Sequence, residues 1–356
     1  MDRAAATTRL AAESRLLGFA TKEGYRDPLT PGAQNRQFVI ETGISQSAKQ
    51  AGEHKQLPRG VHVGLLVGSP ISHLGGHLFS PPRVATLIAP MARQRLGQHF
   101  LGDSSWRNRI LETLPRGDNE TWVEIGAGHG EMTRLLAAPG RRVIAIDTDE
   151  RLAENLRRAT QTNPADWPGV EVVTGDVLAV DLGALTTGEF RVYGNLPYYI
   201  TSPILTHLFR YADRIRSIHI VIQLEVAARI VAKPGSRAYG YLSAVCQFYS
   251  RPEILLRIPP GAFRPPPKVA SALVRMDLPG ERAKLAVPDE EQFLKFVGLC
   301  FEQKRKTLRN NLRSIAEGRR IDAALAACGL RPDARAEQLS LAEFGKLFGA
   351  LAPDLR

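Results

Sequence analysis

The sequence predicts an α/β protein: a mostly parallel, doubly wound sheet followed by a small all-helical domain. Three observations carry this. Short apolar runs at 121–125, 142–147, 171–174, 190–194 and 218–223 alternate with helical patterns. A glycine-rich turn, Gly126-Ala127-Gly128-His129-Gly130, follows the first run and opens a helix, where backbone can approach a ligand closely. After Pro279-Gly280 every patterned segment is helical.

Residues 1–90 stand apart. Gly, Ser, Gln, Thr and Ala recur with weak periodicity, which reads as a low-order extension. His73 and His77 are four apart, but Leu74-Gly75-Gly76 between them breaks the helix that a shared metal face needs. An Ala-rich, Arg-containing start fits an organelle transit peptide, whereas Asp2, Glu13, Glu23 and Asp27 speak against one. A third reading makes Met91 the true start.

From Gln94 the pattern is dense. Trp106 to Leu114 reads as a helix, and Thr121 onward as a buried strand running into the glycine turn. A helix over Glu131 to Ala138, a strand over Arg142 to Asp147 and a helix from Glu150 to Ala159 follow. Further strands are Glu171 to Thr174, Phe190 to Gly194, Ile218 to Gln223, Glu253 to Ile258 and Ser271 to Met276; helices cover Glu225 to Val231 and Tyr241 to Tyr249. Ser202-Pro203 marks a helix start, with an N-cap and a proline at the first helical position. In the last domain the helices are Glu290 to Cys300, Gln303 to Ile315, Ile321 to Ala327 and Leu341 to Leu351, the final one opened by a Ser340/Glu343 capping box. The domains are therefore 1–90, 91–277 and 278–356.

At 356 residues, 44% hydrophobic and 23% charged, the chain has an ordinary globular composition. Its net charge of +11 favours a polyanionic partner over a merely solvated basic surface. Cys246, Cys300 and Cys328 form no paired spacing, against a disulfide framework or a zinc site, so no metal is expected. They place the chain in a reducing cytosol or organelle matrix. No apolar run approaches the roughly 20 residues of a membrane helix.

The densest chemistry is Asn195-Leu196-Pro197-Tyr198, in the loop after the fourth strand, where open α/β sheets bind ligands. The Asn195 side-chain oxygen and the Leu196 carbonyl, its direction set by Pro197, can both accept from an exocyclic amine while Tyr198 stacks on the ring. A surface turn with an Asx hydrogen bond uses the same residue types. Asp147 ends the second strand, where a carboxylate can accept from both ribose hydroxyls, and Asp176 follows the third, where it can accept from an adenine amine. With Glu131 where a dinucleotide fingerprint has its last glycine, two acids at successive strand ends suit S-adenosylmethionine better than NAD.

These residues, in this order, resemble the ribosomal RNA adenine N6,N6-dimethyltransferases of the KsgA type. The likeness runs from Gln94 to about Leu351. It rests on Gly97-Gln98-His99-Phe100-Leu101, Glu124-Ile125-Gly126-Ala127-Gly128, Gly194-Asn195-Leu196-Pro197-Tyr198, the Phe263 to Val269 proline segment and the Phe301 to Leu312 basic run. The resemblance implies a Rossmann-like S-adenosylmethionine-dependent methyltransferase sheet whose last strand is antiparallel. It also implies S-adenosylmethionine contacts at His99, Leu101, Gly126, Asp147, Asp176 and Asn195, with His99 standing where the family usually has Asn. Asn195, Leu196, Pro197 and Tyr198 would hold the target adenine, Phe263 would cover its other face, and Arg305, Lys306, Arg309 and Arg313 would meet RNA phosphate. The implied setting is a cytoplasmic monomer acting on immature small ribosomal subunits, with no membrane partner. Two alternatives are a macrolide-resistance type large-subunit methyltransferase and a non-catalytic ribosome-assembly or mitochondrial transcription factor of the same fold. The basic run argues against the first. Intact Asp147, Asp176 and Asn195 argue against the second.

Overall fold

The computed structural model describes residues 99–117, 119–285 and 287–351; the readings of residues 1–90 and of Gly97-Gln98 lie outside them. A short strand β1 (Phe100–Leu101) leads into α1 (Ser104–Thr113), whose N-cap Asp103 accepts from Ser105 N–H. The alternation then runs β2 (Thr121–Ile125), α2 (Glu131–Leu136), β3 (Arg142–Asp147), α3 (Glu150–Thr162), β4 (Val170–Thr174), α4 (Leu182–Leu185), β5 (Phe190–Asn195), α5 (Thr201–Phe209) and β6 (Ile215–Gln223). Next come α6 (Leu224–Ile230), α7 (Tyr241–Tyr249), β7 (Arg251–Ile258), β8 (Phe263–Arg264) and β9 (Ser271–Asp277).

Seven strands form one sheet in the order β4-β3-β2-β5-β6-β9-β7. Pairs from β4 to β6 are parallel. The last strand, β9, is antiparallel to both β6 and β7 and lies between them. Central strands are buried on both faces, as their unbroken apolar runs require. One face packs Val123, Ile144, Val192 and Ile220 under α5 and α6; the other packs Trp122, Val143, Tyr193 and Leu273 under α1 and α2.

Helix α5 begins at Thr201 with no side-chain cap, so Ser202 is inside the helix and Pro203 is its third residue, still among the N–H groups that lack an intrahelical partner.

The C-terminal helices are α8 (Arg282–Leu285), α9 (Glu290–Phe301), α10 (Leu308–Asn311), α11 (Gly318–Ala327) and α12 (Leu341–Leu351). They enclose a second core in which Phe293, Phe296, Leu325 and Phe344 pack with Phe248 of α7. The expected helix from Gln303 to Ile315 is not one helix. Residues 302–306 are a turn, α10 is four residues long, and a 3-10 turn covers Leu312–Ser314. The break is held from inside: buried Asn311 donates its Nδ2 hydrogens to Cys300 O (2.6 Å) and Gln303 O (3.3 Å), satisfying carbonyls at the end of α9.

Candidate active site

The floor of the site is the turn after β2. Gly126, Gly128 and Gly130 have φ of +75°, +59° and +84°, which side-chain-bearing residues rarely adopt. A Cβ on Gly128 would also come within 3.0 Å of the Phe100 ring. Gly126 and Ala127 N–H both donate to Ile146 O (2.8 and 3.2 Å), and Gly128 N–H donates to Asp147 Oδ2 at 2.7 Å. The turn is thus stitched to the end of β3.

The acids line up along the strand ends. Asp147 is buried, and its Oδ1 accepts from Asp149 N–H at 2.8 Å. Asp176 is exposed, and its Oδ1 accepts from Leu178 N–H at 3.0 Å. A cavity of about 320 Å³ joins them to the loop after β5, with His99, Gly126, Asn195, Leu196, Pro197 and Tyr198 in its wall. That volume lies within the range of small-molecule sites.

In the loop, Asn195 Nδ2 donates to His99 O at 2.8 Å. A carbonyl can only face the NH₂ of the amide, so Oδ1 remains as the acceptor. Leu196 is buried with its N–H on Val221 O (3.1 Å). Gly194 is required because a Cβ there would lie 2.8 Å from the Leu196 side chain and 3.1 Å from Ile125 O. A 3-10 turn over Tyr198–Ile200 follows. The Tyr198 hydroxyl lies 2.8 Å from Ser271 Oγ, and its ring stacks with His99 at 5.9 Å between centroids and 29° between planes. His99 in turn donates Nδ1–H to Pro265 O at 2.8 Å.

Two expected contacts are displaced. Leu101 and Phe263 are 7% and 1% exposed, pair across the β1–β8 ribbon and pack in the core under α1. Neither lines the cavity. Alternation along β1 turns Phe100 toward the site and Leu101 away from it, and on Tyr198 the ring in contact is His99. Phe100, Val177 and Tyr199 line the cavity without having been expected there. Tyr199 is 55% exposed at the mouth, and burial, then the nearby Asp176, pushes its pKa up.

On the helical part, Arg305, Lys306 and Arg313 are exposed. Arg309, also expected to meet phosphate, is partly exposed and already paired. Its guanidinium grips Asp322, with Nε to Oδ1 at 2.7 Å and Nη2 to Oδ2 at 3.0 Å. Lys304 donates to Arg237 O (2.6 Å) and Tyr239 O (3.1 Å), tying the turn after α9 to the segment before α7. No cluster of three metal-ligating side chains occurs among the described residues.

A family model described as ribosomal RNA adenine dimethylase matches residues 90–352. The chain is 43% identical over 282 residues to the ribosomal RNA small subunit methyltransferase A of Acidobacterium capsulatum, covering 78% of this chain and 98% of that protein. Among solved structures, a dimethyladenosine transferase from Plasmodium falciparum aligns with a TM-score of 0.59 at 22% identity, over 72% of this chain and 98% of that one; this likeness bears on the fold. The 23S rRNA methyltransferase ErmE aligns with a TM-score of 0.56 at 28% identity, over 71% and 99% of the two chains.

Proposed function

The chain belongs to the ribosomal RNA adenine dimethylase family, and from that premise we propose that it dimethylates N6 of adenines in small-subunit ribosomal RNA, using S-adenosylmethionine, during ribosome biogenesis. The observation that carries the reading is the fixed amide of Asn195: Nδ2 is committed to His99 O, which leaves Oδ1 as the acceptor, and Asn195 and Tyr198 both line the cavity.

The residues present fit the cofactor. Each Asp147 oxygen accepts one backbone N–H and keeps lone-pair capacity for a ribose hydroxyl. Asp176 stands at the next strand end, where it would accept from the adenine amine, and the left-handed Gly126 and Gly128 in the cavity wall would bring backbone against the ligand. When bound, S-adenosylmethionine supplies an electrophilic sulfonium methyl group.

The rest is the work of this chain. An adenine amine is a poor nucleophile because its lone pair is delocalised into the ring. Asn195 Oδ1 and the Leu196 carbonyl accept its two N–H bonds, favouring a pyramidal nitrogen with a directed lone pair. Tyr198 stacks on the base, worth on the order of 1–3 kcal/mol, and holds it out of its own stack. A site that holds the amine in line with the methyl donor would lower the barrier further. The amine's proton leaves to water after transfer. Arg305, Lys306 and Arg313 meet phosphate, and Arg309 buttresses that surface through Asp322.

No helix among the described residues is long and apolar enough to cross a membrane, and we place the protein in the cytoplasm as a monomer acting on immature small subunits. Primer extension on both ribosomal RNAs, from cells with and without the gene, tests the reading. Gene-dependent stops at adenines of the small-subunit RNA are expected. Stops confined to the large-subunit RNA would move the target to the ErmE-like alternative.

A further inference from the structure

Three buried polar side chains beneath the glycine turn have no part in the chemistry above. Glu124 is the last residue but one of β2 and 2% exposed; Tyr193 stands opposite it on β5, and Thr133 lies in α2. Strand alternation turns Glu124 to the Trp122 face of the sheet, under α1 and α2. Among the described residues, Glu124 Oε2 and the Tyr193 hydroxyl each lack a hydrogen-bond partner, and the Thr133 hydroxyl is the side-chain donor that acts on the Glu124 carboxyl.

The charged groups that face Glu124 are both acidic: Asp147 on β3 and Glu131 on α2. Around Tyr193 stand Arg107 of α1, which donates to Leu101 O at 2.6 Å, and His219, opposite on β6. Burial keeps His219 neutral, holding its pKa down to about 3 with Arg191 and Arg275 adding to the effect. A carboxylate at this depth, beside two other acids and without an ion-pair partner among the described residues, is costly; protonation removes the cost. Desolvation pushes the Glu124 pKa up to about 8, opposed by the Thr133 hydroxyl and reinforced by Asp147 and Glu131.

Glu124 adjoins both functional parts of the turn. Two residues on, the chain is at Gly126, and Gly128 N–H is held by Asp147, the expected ribose acceptor. We propose that Glu124 is a positioning residue acting as a neutral carboxylic acid, which lets the Gly126–Gly130 turn and the Asp147 carboxylate hold the cofactor, and whose ionisation weakens that site. This rests on the cofactor reading above.

Calorimetry with S-adenosylmethionine from pH 6.5 to 9.5 on the wild type and Glu124→Gln tests it, taking the ratio of the two affinities so that titration of the cofactor itself cancels. The ratio should be near one at pH 7, with the wild type at least about fivefold weaker than the variant at pH 9. A second arm needs no cofactor. A carboxyl with a raised folded-state pKa contributes stability that is full below about 4.5 and lost as pH rises through about 8, so the melting-temperature advantage of Glu124→Gln should grow from pH 5 to pH 8. A tenfold or greater loss of affinity in Glu124→Gln at pH 7, with melting unimpaired, would make Glu124 an anionic ligand and overturn the proposal, as would a ratio that does not change with pH. A wild type that binds no S-adenosylmethionine while the melting arm behaves as expected would instead overturn the cofactor reading.

Discussion

Tyr198 does two jobs that single substitutions can separate. Its ring offers a π-face, and its hydroxyl is anchored on Ser271 Oγ at 2.8 Å. Tyr198→Phe keeps the face and loses one hydrogen bond, about 1 kcal/mol, so steady-state kinetics on immature subunits should show activity within about fivefold of wild type. Tyr198→Ala loses base stacking of about 1–3 kcal/mol and should lower kcat/KM by roughly tenfold to a hundredfold. Equal inactivity of both variants would make the hydroxyl, and not the ring, the working part. At this scale the sequence was legible wherever residue type and strand-end position sufficed: Asp147, Asp176, Asn195 and Tyr198 all line one cavity. The core positions of Leu101 and Phe263 were not legible, because their orientation is decided by pairing between β1 and β8, segments more than 160 residues apart. Glu124 sits inside an apolar strand run, and nothing local distinguishes a buried neutral acid from an edge residue.

Among elements, those buried on both faces were the most legible. Strand β3 spans Arg142–Asp147 and helix α7 spans Tyr241–Tyr249, the limits read from their apolar patterns. Helical periodicity failed after Phe301. Leu308 and Leu312 are buried at the expected spacing, but α10 and a 3-10 turn present them on the far side of a break. The pattern records which residues face the core; it does not record whether one helix carries them all. The signal for the break was Asn311, whose side chain caps α9 across the turn. Asn311→Ala should therefore destabilise the protein by about 1–3 kcal/mol through loss of the buried hydrogen bond to the Cys300 carbonyl, measurable by urea denaturation. A change within a few tenths of a kcal/mol would show that this carbonyl finds another partner.

Over the whole molecule, two cores meet at α7, whose Val245 and Cys246 face the sheet while Ala244 and Phe248 face the C-terminal helices. This joins the surface bearing Arg305, Lys306 and Arg313 to the body that carries the cavity. The net charge of +11 makes RNA binding salt-dependent as a whole, and each lost phosphate contact should flatten the slope of log K against log salt by about 0.7–0.9. Arg305→Glu with Arg313→Glu should flatten it by roughly two such steps while leaving cofactor affinity alone. An unchanged slope would show this face to be merely solvated.

In the proposed reaction the Asn195 loop orients an adenine amine for methylation. Mass spectrometry of small-subunit RNA digests, after timed incubation of immature subunits with S-adenosylmethionine and either wild type or Asn195→Ala, tests it most directly. Dimethyladenine should accumulate with the wild type. With Asn195→Ala the rate should be lower by about a hundredfold or more, while binding to the subunits is kept. Methylation by Asn195→Ala at the normal rate would contradict it and make the loop an ordinary turn.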